Sequence, residues 1–205
     1  MSSNDAAPVI ALASTQKSDR KTMLLEAAMD VFVDKGYHQA SMDDIAARAG
    51  VTKPVVYQHF DGKRELYLGL LDDSVEQVVA GISQAIARES FNVKRLEAAV
   101  GFYFAAVDDA DKSYRLIFES DFTQDADVSA RLDDLISQLA RIVGREIANE
   151  TGLTSGEANI LAAGLCGMAQ AAAWRWIRLG RPVSREKAIS GITYLGWEGL
   201  RTFPS

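Results

Sequence analysis

The sequence predicts an all-α protein: a small N-terminal helical head on a larger helical body, about nine helices in all. Three observations carry this. Apolar residues recur at helical spacing from Leu24 onward. Ser, Thr, Asp and Gly punctuate that periodicity where helices would begin and end. No run alternates as a strand of useful length; the nearest, Ile10 to Ala13, is short. Of the 205 residues 48% are apolar, so a sizeable core can form without covalent staples. The single Cys166 excludes an intrachain disulfide and fits a reducing compartment. No apolar stretch approaches the roughly 18 residues of a membrane span. The patch Val9–Ala13 has no basic residue before it, as a signal peptide would require. Residues 1–16 are expected to be a flexible tail and the protein cytoplasmic.

Ser18 can cap a first helix with Leu24, Ala27, Ala28, Val31 and Phe32 on one stripe, ended by Gly36. Ser41-Met-Asp-Asp44 reads as a capping box that opens a short helix over 42–49, stopped by Gly50. Thr52 can cap a third helix over about 53–59. Pro54 is tolerated in its first turn, where the N–H groups lack partners anyway. Asp61-Gly62 breaks the chain before a long helix over about 63–88, striped with Leu66, Leu70 or Leu71, Val75, Val78, Val79, Ile82 and Ile86. Further helices are expected over about 93–108, 111–119 and 127–150. Thr154-Ser-Gly-Glu157 is a second capping box, opening a helix that Gly180-Arg-Pro182 ends, and a last helix fills about 184–201.

The helices over 42–49 and 53–59, joined by a tight turn at Gly50, form a helix-turn-helix pattern. In that motif the second helix enters the DNA major groove by its N-terminal end. Net charge is −6, yet residues 17–65 hold eight basic and eight acidic residues, so the negative excess falls mainly on the body. Ser41, Thr52, Lys53, Pro54, Val55, Tyr57, His59 and Lys63 are the candidate DNA-binding residues. Thr52 and Lys53 sit where base edges would be, and Val55 could meet a thymine methyl. Tyr57 and His59 suit phosphates. So does Lys63, whose charge adds to the positive end of the helix it starts.

The run AAMDVFVDKGYHQASMDDIAARAGVTKPVVYQHFDGKRELYLGLL (27–71) resembles the DNA-binding head of the TetR family of bacterial transcription regulators. The likeness rests on Phe32, Gly36-Tyr37, Ser41, Ile45-Ala46, Gly50-Val51, Tyr57-x-His59-Phe60 and Lys63-x-x-Leu66. Pro54 and Val55 depart from the commoner Gly-Thr or Gly-Ser, which bears on the operator sequence. The resemblance implies a homodimer on double-stranded DNA, a head over 17–62, and an effector-binding and dimerisation body over 63–205. SYRLIFESDF (113–122) further resembles the actinobacterial fatty-acid-synthesis regulators of the family, which respond to long-chain acyl-CoA.

An apolar effector would need an apolar wall with few polar groups. Val78, Ile82, Ile86, Leu96, Tyr103, Phe118, Phe122, Ile136, Leu139, Val143 and Met168 are the candidate lining residues, and for each taken singly plain core packing is the commoner role. Arg88, Lys94, Arg95, Arg115, Arg141, Arg145, Arg175 and Arg178 could meet an anionic headgroup or remain solvated. Residues 158–173 are rich in Ala and Gly, which lets two helices approach closely. The resemblance turns this toward a dimer through the 154–179 and 184–201 helices. A regulator of an efflux or catabolic operon with another apolar effector fits the same features. An enzyme does not. With two histidines, one cysteine and no HExxH, CxxC, GxSxG, P-loop or dinucleotide glycine motif, the chain offers no catalytic or cofactor signature. A purely architectural DNA-binding protein would leave the body without a use.

Overall fold

The computed structural model describes residues 7–90, 92–108 and 112–201. Among the described residues there are nine helices and no strand. They are α1 (Ala7–Gln39), α2 (Met42–Ala49), α3 (Lys53–Tyr57), α4 (Lys63–Ala87), α5 (Asn92–Asp108), α6 (Lys112–Phe118), α7 (Ala126–Thr151), α8 (Ser155–Arg178) and α9 (Arg185–Arg201).

α1 starts upstream of Ser18, so Ser18 lies inside the helix rather than capping it, and residues 7–16 are helical where a tail was expected. The physical reason is the run Ala-Leu-Ala at 11–13 and the Gln at 16, good helix formers that carry the helix through. The remaining tail residues, 1–6, lie outside the described residues. Gly36 interrupts α1 as expected, with φ 75 and ψ 166. Both capping boxes form. The Ser41 hydroxyl accepts from the Asp44 N–H while the Asp44 carboxylate accepts from the Ser41 backbone, and Thr154 and Glu157 repeat the exchange. Gly50 closes α2 in the left-handed region. Thr52 occupies the N-cap of α3 without making the side-chain cap expected of it.

The head packs on Leu24, Ala28, Val31, Phe32, Ile45, Ala46, Val56 and Phe60, all buried. In the body α4 lies against α5, α6 and α7, and α5 lies between α4, α8 and α9. α7 makes its largest contact with α8, where Gly144 comes close enough that a Cβ would stand 3.3 Å from the Ala158 carbonyl oxygen. Helices α4 and α7 run parallel. Arg64 near the start of α4 pairs with Asp125 at the start of α7, Asp72 pairs with Arg131 further along, and Ile86 and Val143 share a wall at the far end. No helix among the described residues is long and apolar enough to cross a membrane.

Candidate DNA-binding face, effector cavity and the junction between them

On the helix-turn-helix, Thr52, Lys53, Pro54 and Tyr57 are exposed, while Val55 and His59 are half-buried. The Lys53 ammonium is 2.9 Å from the Asp43 carboxylate of α2, and that hydrogen bond raises its pKa. Lys53 is therefore cationic but locally neutralised. Its partner Asp43 could not be told from other helix-start acids in the sequence. Ser41, half-buried, spends its hydroxyl on the cap and donates to Asp44 as well. Other head cations are paired in the same way, which is what charge balance means physically here. Arg48 bridges Asp30 and Asp34, and Lys35 binds Asp44.

Lys63 is turned inward. Its ammonium donates to the carbonyl oxygens of Tyr37 (2.8 Å) and Ala40 (2.9 Å) and stands 4.3 Å from the centre of the Tyr37 ring. These bonds fasten the start of α4 to the end of α1, so any phosphate contact must share a charge already occupied by backbone oxygens.

The same region joins head to body. Tyr37 stacks on Phe122 with ring centres 3.5 Å apart, and Tyr67 meets both edge-on. The Asp121 carboxylate accepts from the Tyr37 N–H at 2.7 Å, and the Asp121 carbonyl lies 3.2 Å from His38 Nε2. Arg64 grips Asp125 through two hydrogen bonds and also reaches Asp127. Phe122, expected in an effector wall, stands at this junction. Its aromatic spacing could not distinguish these two places.

The apolar cavity lies at the opposite end of α4. It encloses about 300 Å³ between Ile86 of α4, Leu96 and Ala99 of α5, Val143 and Ile147 of α7, Leu165 of α8 and Trp197 of α9. Arg95, Glu146, Glu150, Thr151 and Arg201 form its polar part, with Arg95 paired to Glu146 and Arg201 to Glu198. Of the expected lining, Ile86, Leu96 and Val143 are brought together here. Val78, Ile82, Tyr103 and Leu139 are core residues at most 3% exposed, because core and cavity wall share one periodicity. Phe118 packs on the Tyr114 ring, Ile136 is half exposed on α7, and Met168 reaches toward Gly196 of α9. Trp197 and Arg201, one turn apart on α9, were not anticipated. Their helix read only as an interface.

Cys166 is half-buried, and burial pushes its thiol up to about 11, so it is protonated at neutral pH and unsuited to nucleophilic attack.

Residues 24–70 match the model of the bacterial regulatory proteins of the tetR family. The chain is 39% identical over 188 residues to the HTH-type transcriptional activator FasR of Mycolicibacterium smegmatis, covering 92% of this chain and 86% of that protein. A TetR-like transcriptional regulator from a Rhodococcus species superposes with a TM-score of 0.72 at 25% identity, over 90% of this chain and 97% of that one. The transcriptional regulator FadR of Bacillus subtilis, solved with stearoyl-CoA, shares the fold with a TM-score of 0.71 at 16% identity, over 87% of this chain and 98% of its own. A helix-turn-helix head on an all-helical body, matched along nearly its whole length by FasR, makes this chain a member of the TetR family of bacterial transcription regulators, not an enzyme.

Proposed function

We propose that two copies of this chain bind a two-fold-symmetric operator, and that a long-chain acyl-CoA or similar apolar molecule in the 300 Å³ cavity sets their hold on it. The genes under control would be those of fatty-acid synthesis, with the chain acting as an activator. The near full-length likeness to FasR, an activator by name, supports the direction, and the run 113–122 supports the subgroup. FadR of Bacillus subtilis, seen with stearoyl-CoA, supports the effector class.

The observation that carries the reading is the parallel α4–α7 pair. Its C-terminal halves wall the cavity at Ile86, Val143 and Ile147, and its N-terminal ends are tied to each other at the junction by Arg64 and Asp125. From Lys63 to Ile86 is roughly 35 Å at 1.5 Å per residue. A ligand that spreads α4 from α7 at one end is thus coupled to the orientation of the head at the other. It shifts the equilibrium only as far as its affinity differs between the two arrangements.

The α8–α9 face supports the dimer. Ile160 is 74% exposed, Tyr194 67% and Leu195 62%, with Trp174 and Leu179 also uncovered. Cβ atoms built on Gly164, Gly167 and Gly191 would meet nothing within 4 Å among the described residues beyond their own helix backbone. Each glycine in a helix costs about 1 kcal/mol against alanine. Smallness there serves no intrachain packing and suits a second chain lying close.

The test is a gel shift on the chain's own promoter fragments with and without palmitoyl-CoA, using wild type and Ala99→Trp, which fills the cavity. Operator affinity should change with ligand in wild type and not in the variant. An unchanged wild-type affinity at saturating palmitoyl-CoA removes the acyl-CoA reading, and a different ligand found bound by mass spectrometry would replace it.

A further inference from the structure

A second cleft of about 660 Å³ lies between α7 and the start of α8. Arg141 and Arg145 stand one turn apart along it, facing Asn149, Ser155 and Asn159, with Gln138 at one end. Its floor is tight because Gly144 rests on the Ala158–Asn159 backbone, with contacts at 3.3 Å. No carboxylate lines it. Elsewhere in this body Arg95, Arg115, Arg131, Arg181 and Arg201 each hold an acidic partner, while Arg88, Arg175 and Arg178 hold none among the described residues. Arg141 and Arg145 have neither an ion pair nor a hydrogen bond among the described residues. Gln138 donates to Asp134 and so turns its amide nitrogen away from the arginines. Glu157 is occupied by the Thr154 cap and is not in the lining.

Two guanidiniums four residues apart on a helix repel each other, a small but real cost. Placed beside neutral amides and a hydroxyl, with the positive end of the α8 dipole at Ser155, they make a concave field with no internal counterion. Guanidinium forks match phosphate oxygens two at a time, which a carboxylate-free rim leaves open to them. We propose that this cleft binds a phosphate-bearing small molecule, a diphosphate or nucleotide, through Arg141 and Arg145. It is a site separate from the apolar cavity. Val143, Glu146, Ile147 and Glu150 face that cavity, whereas Arg141, Arg145, Ala148 and Asn149 lie half a helical turn away on the other side of α7. The phosphate could belong to a free nucleotide, or to the nucleotide end of a coenzyme whose acyl chain reaches round the C-terminus of α7 into the cavity. The binding chemistry is shared.

The experiment is calorimetric titration of the full chain with pyrophosphate, ADP, coenzyme A and palmitoyl-CoA, for wild type, R141A/R145A and R141K/R145K. Wild type should bind phosphate-bearing probes with an affinity that falls as salt rises. The alanine variant should bind at least about tenfold more weakly, and the lysine variant in between, since lysine keeps the charge without the fork. Weakening of palmitoyl-CoA as well assigns the site to a coenzyme headgroup, and weakening of pyrophosphate and ADP alone assigns it to a free nucleotide. The proposal is overturned if no probe binds wild type at millimolar concentration or if R141A/R145A binds unchanged. It is overturned also if that variant sediments as a smaller species than wild type, which would give the arginines to a second copy of the chain. None of these outcomes depends on whether palmitoyl-CoA alters DNA binding.

Discussion

At Gly36 two constraints meet on one residue. The backbone sits at φ 75, in the left-handed region, and a Cβ there would lie 2.6 Å from Asp121 Oδ2. Alanine would incur about 1 kcal/mol of backbone strain and would also push away the carboxylate that accepts the Tyr37 N–H. Gly36→Ala should therefore lower the unfolding free energy by about 1–3 kcal/mol. In an Asp121→Ala background the steric part should vanish and the strain remain, a non-additivity that denaturant melts of the four variants would reveal. Asp44 supplies a pH test. Hydrogen bonds from Lys35 and then Ser41 hold its carboxyl down at about 2. A depressed folded-state pKa contributes stability above the unfolded value and loses it as pH falls through the folded one. The head of the wild type should thus weaken between about pH 4 and pH 2. Asp44→Asn should be less stable at neutral pH and flatter across that window when followed by circular dichroism. Sequence reading found the Ser41–Asp44 box because caps are local. It could not find Asp121, which lies 84 positions from the Tyr37 N–H it accepts.

Among the elements, α3 and α4 separate contacts that the sequence had treated alike. Lys53 points outward and is held by Asp43, so Asp43→Asn should free it and tighten DNA binding by about two- to fivefold at low salt. Lys53→Ala should change which sequences are preferred. Equal losses on every sequence in a competition gel shift would remove its base-reading role. Lys63 is bound to the Tyr37 and Ala40 carbonyls, so Lys63→Ala should lower thermal stability along with DNA affinity. A pure phosphate contact would leave the melting temperature alone. Helix boundaries were legible because glycine and Ser/Thr caps act within one turn: α2, α4, α8 and α9 begin or end within a residue or two of their expected limits. Which apolar face becomes core and which becomes cavity was not legible. Val78 and Ile86 sit on one stripe of α4, and only the packing of α5, α7 and α9 around its last turn opens a space beside Ile86.

For the whole molecule, the question is what makes the body and the head one mechanical unit. The head's own charges are largely internally paired, so long-range attraction gives it little purchase on DNA beyond its direct contacts. In the proposed dimer the orientation of the heads would then decide affinity, and each head is fixed to its body where Arg64 holds Asp125 and Asp127 and where Tyr37 stacks on Phe122. These contacts differ in what they do. An exposed ion pair contributes at most about 1 kcal/mol and can break and reform. The stacked ring, closed in by Tyr67, holds the junction in register. Arg64→Ala should accordingly leave fold and effector binding nearly intact while reducing the effector-induced change in operator affinity severalfold. Phe122→Ala should reduce stability by about 1–3 kcal/mol as well, since the ring is only partly buried. The measurement is a pair of titrations on each variant, palmitoyl-CoA by calorimetry and operator DNA with and without it. If Arg64→Ala keeps the full effector response, the signal travels through the aromatic stack alone and the parallel α4–α7 pair is only a scaffold.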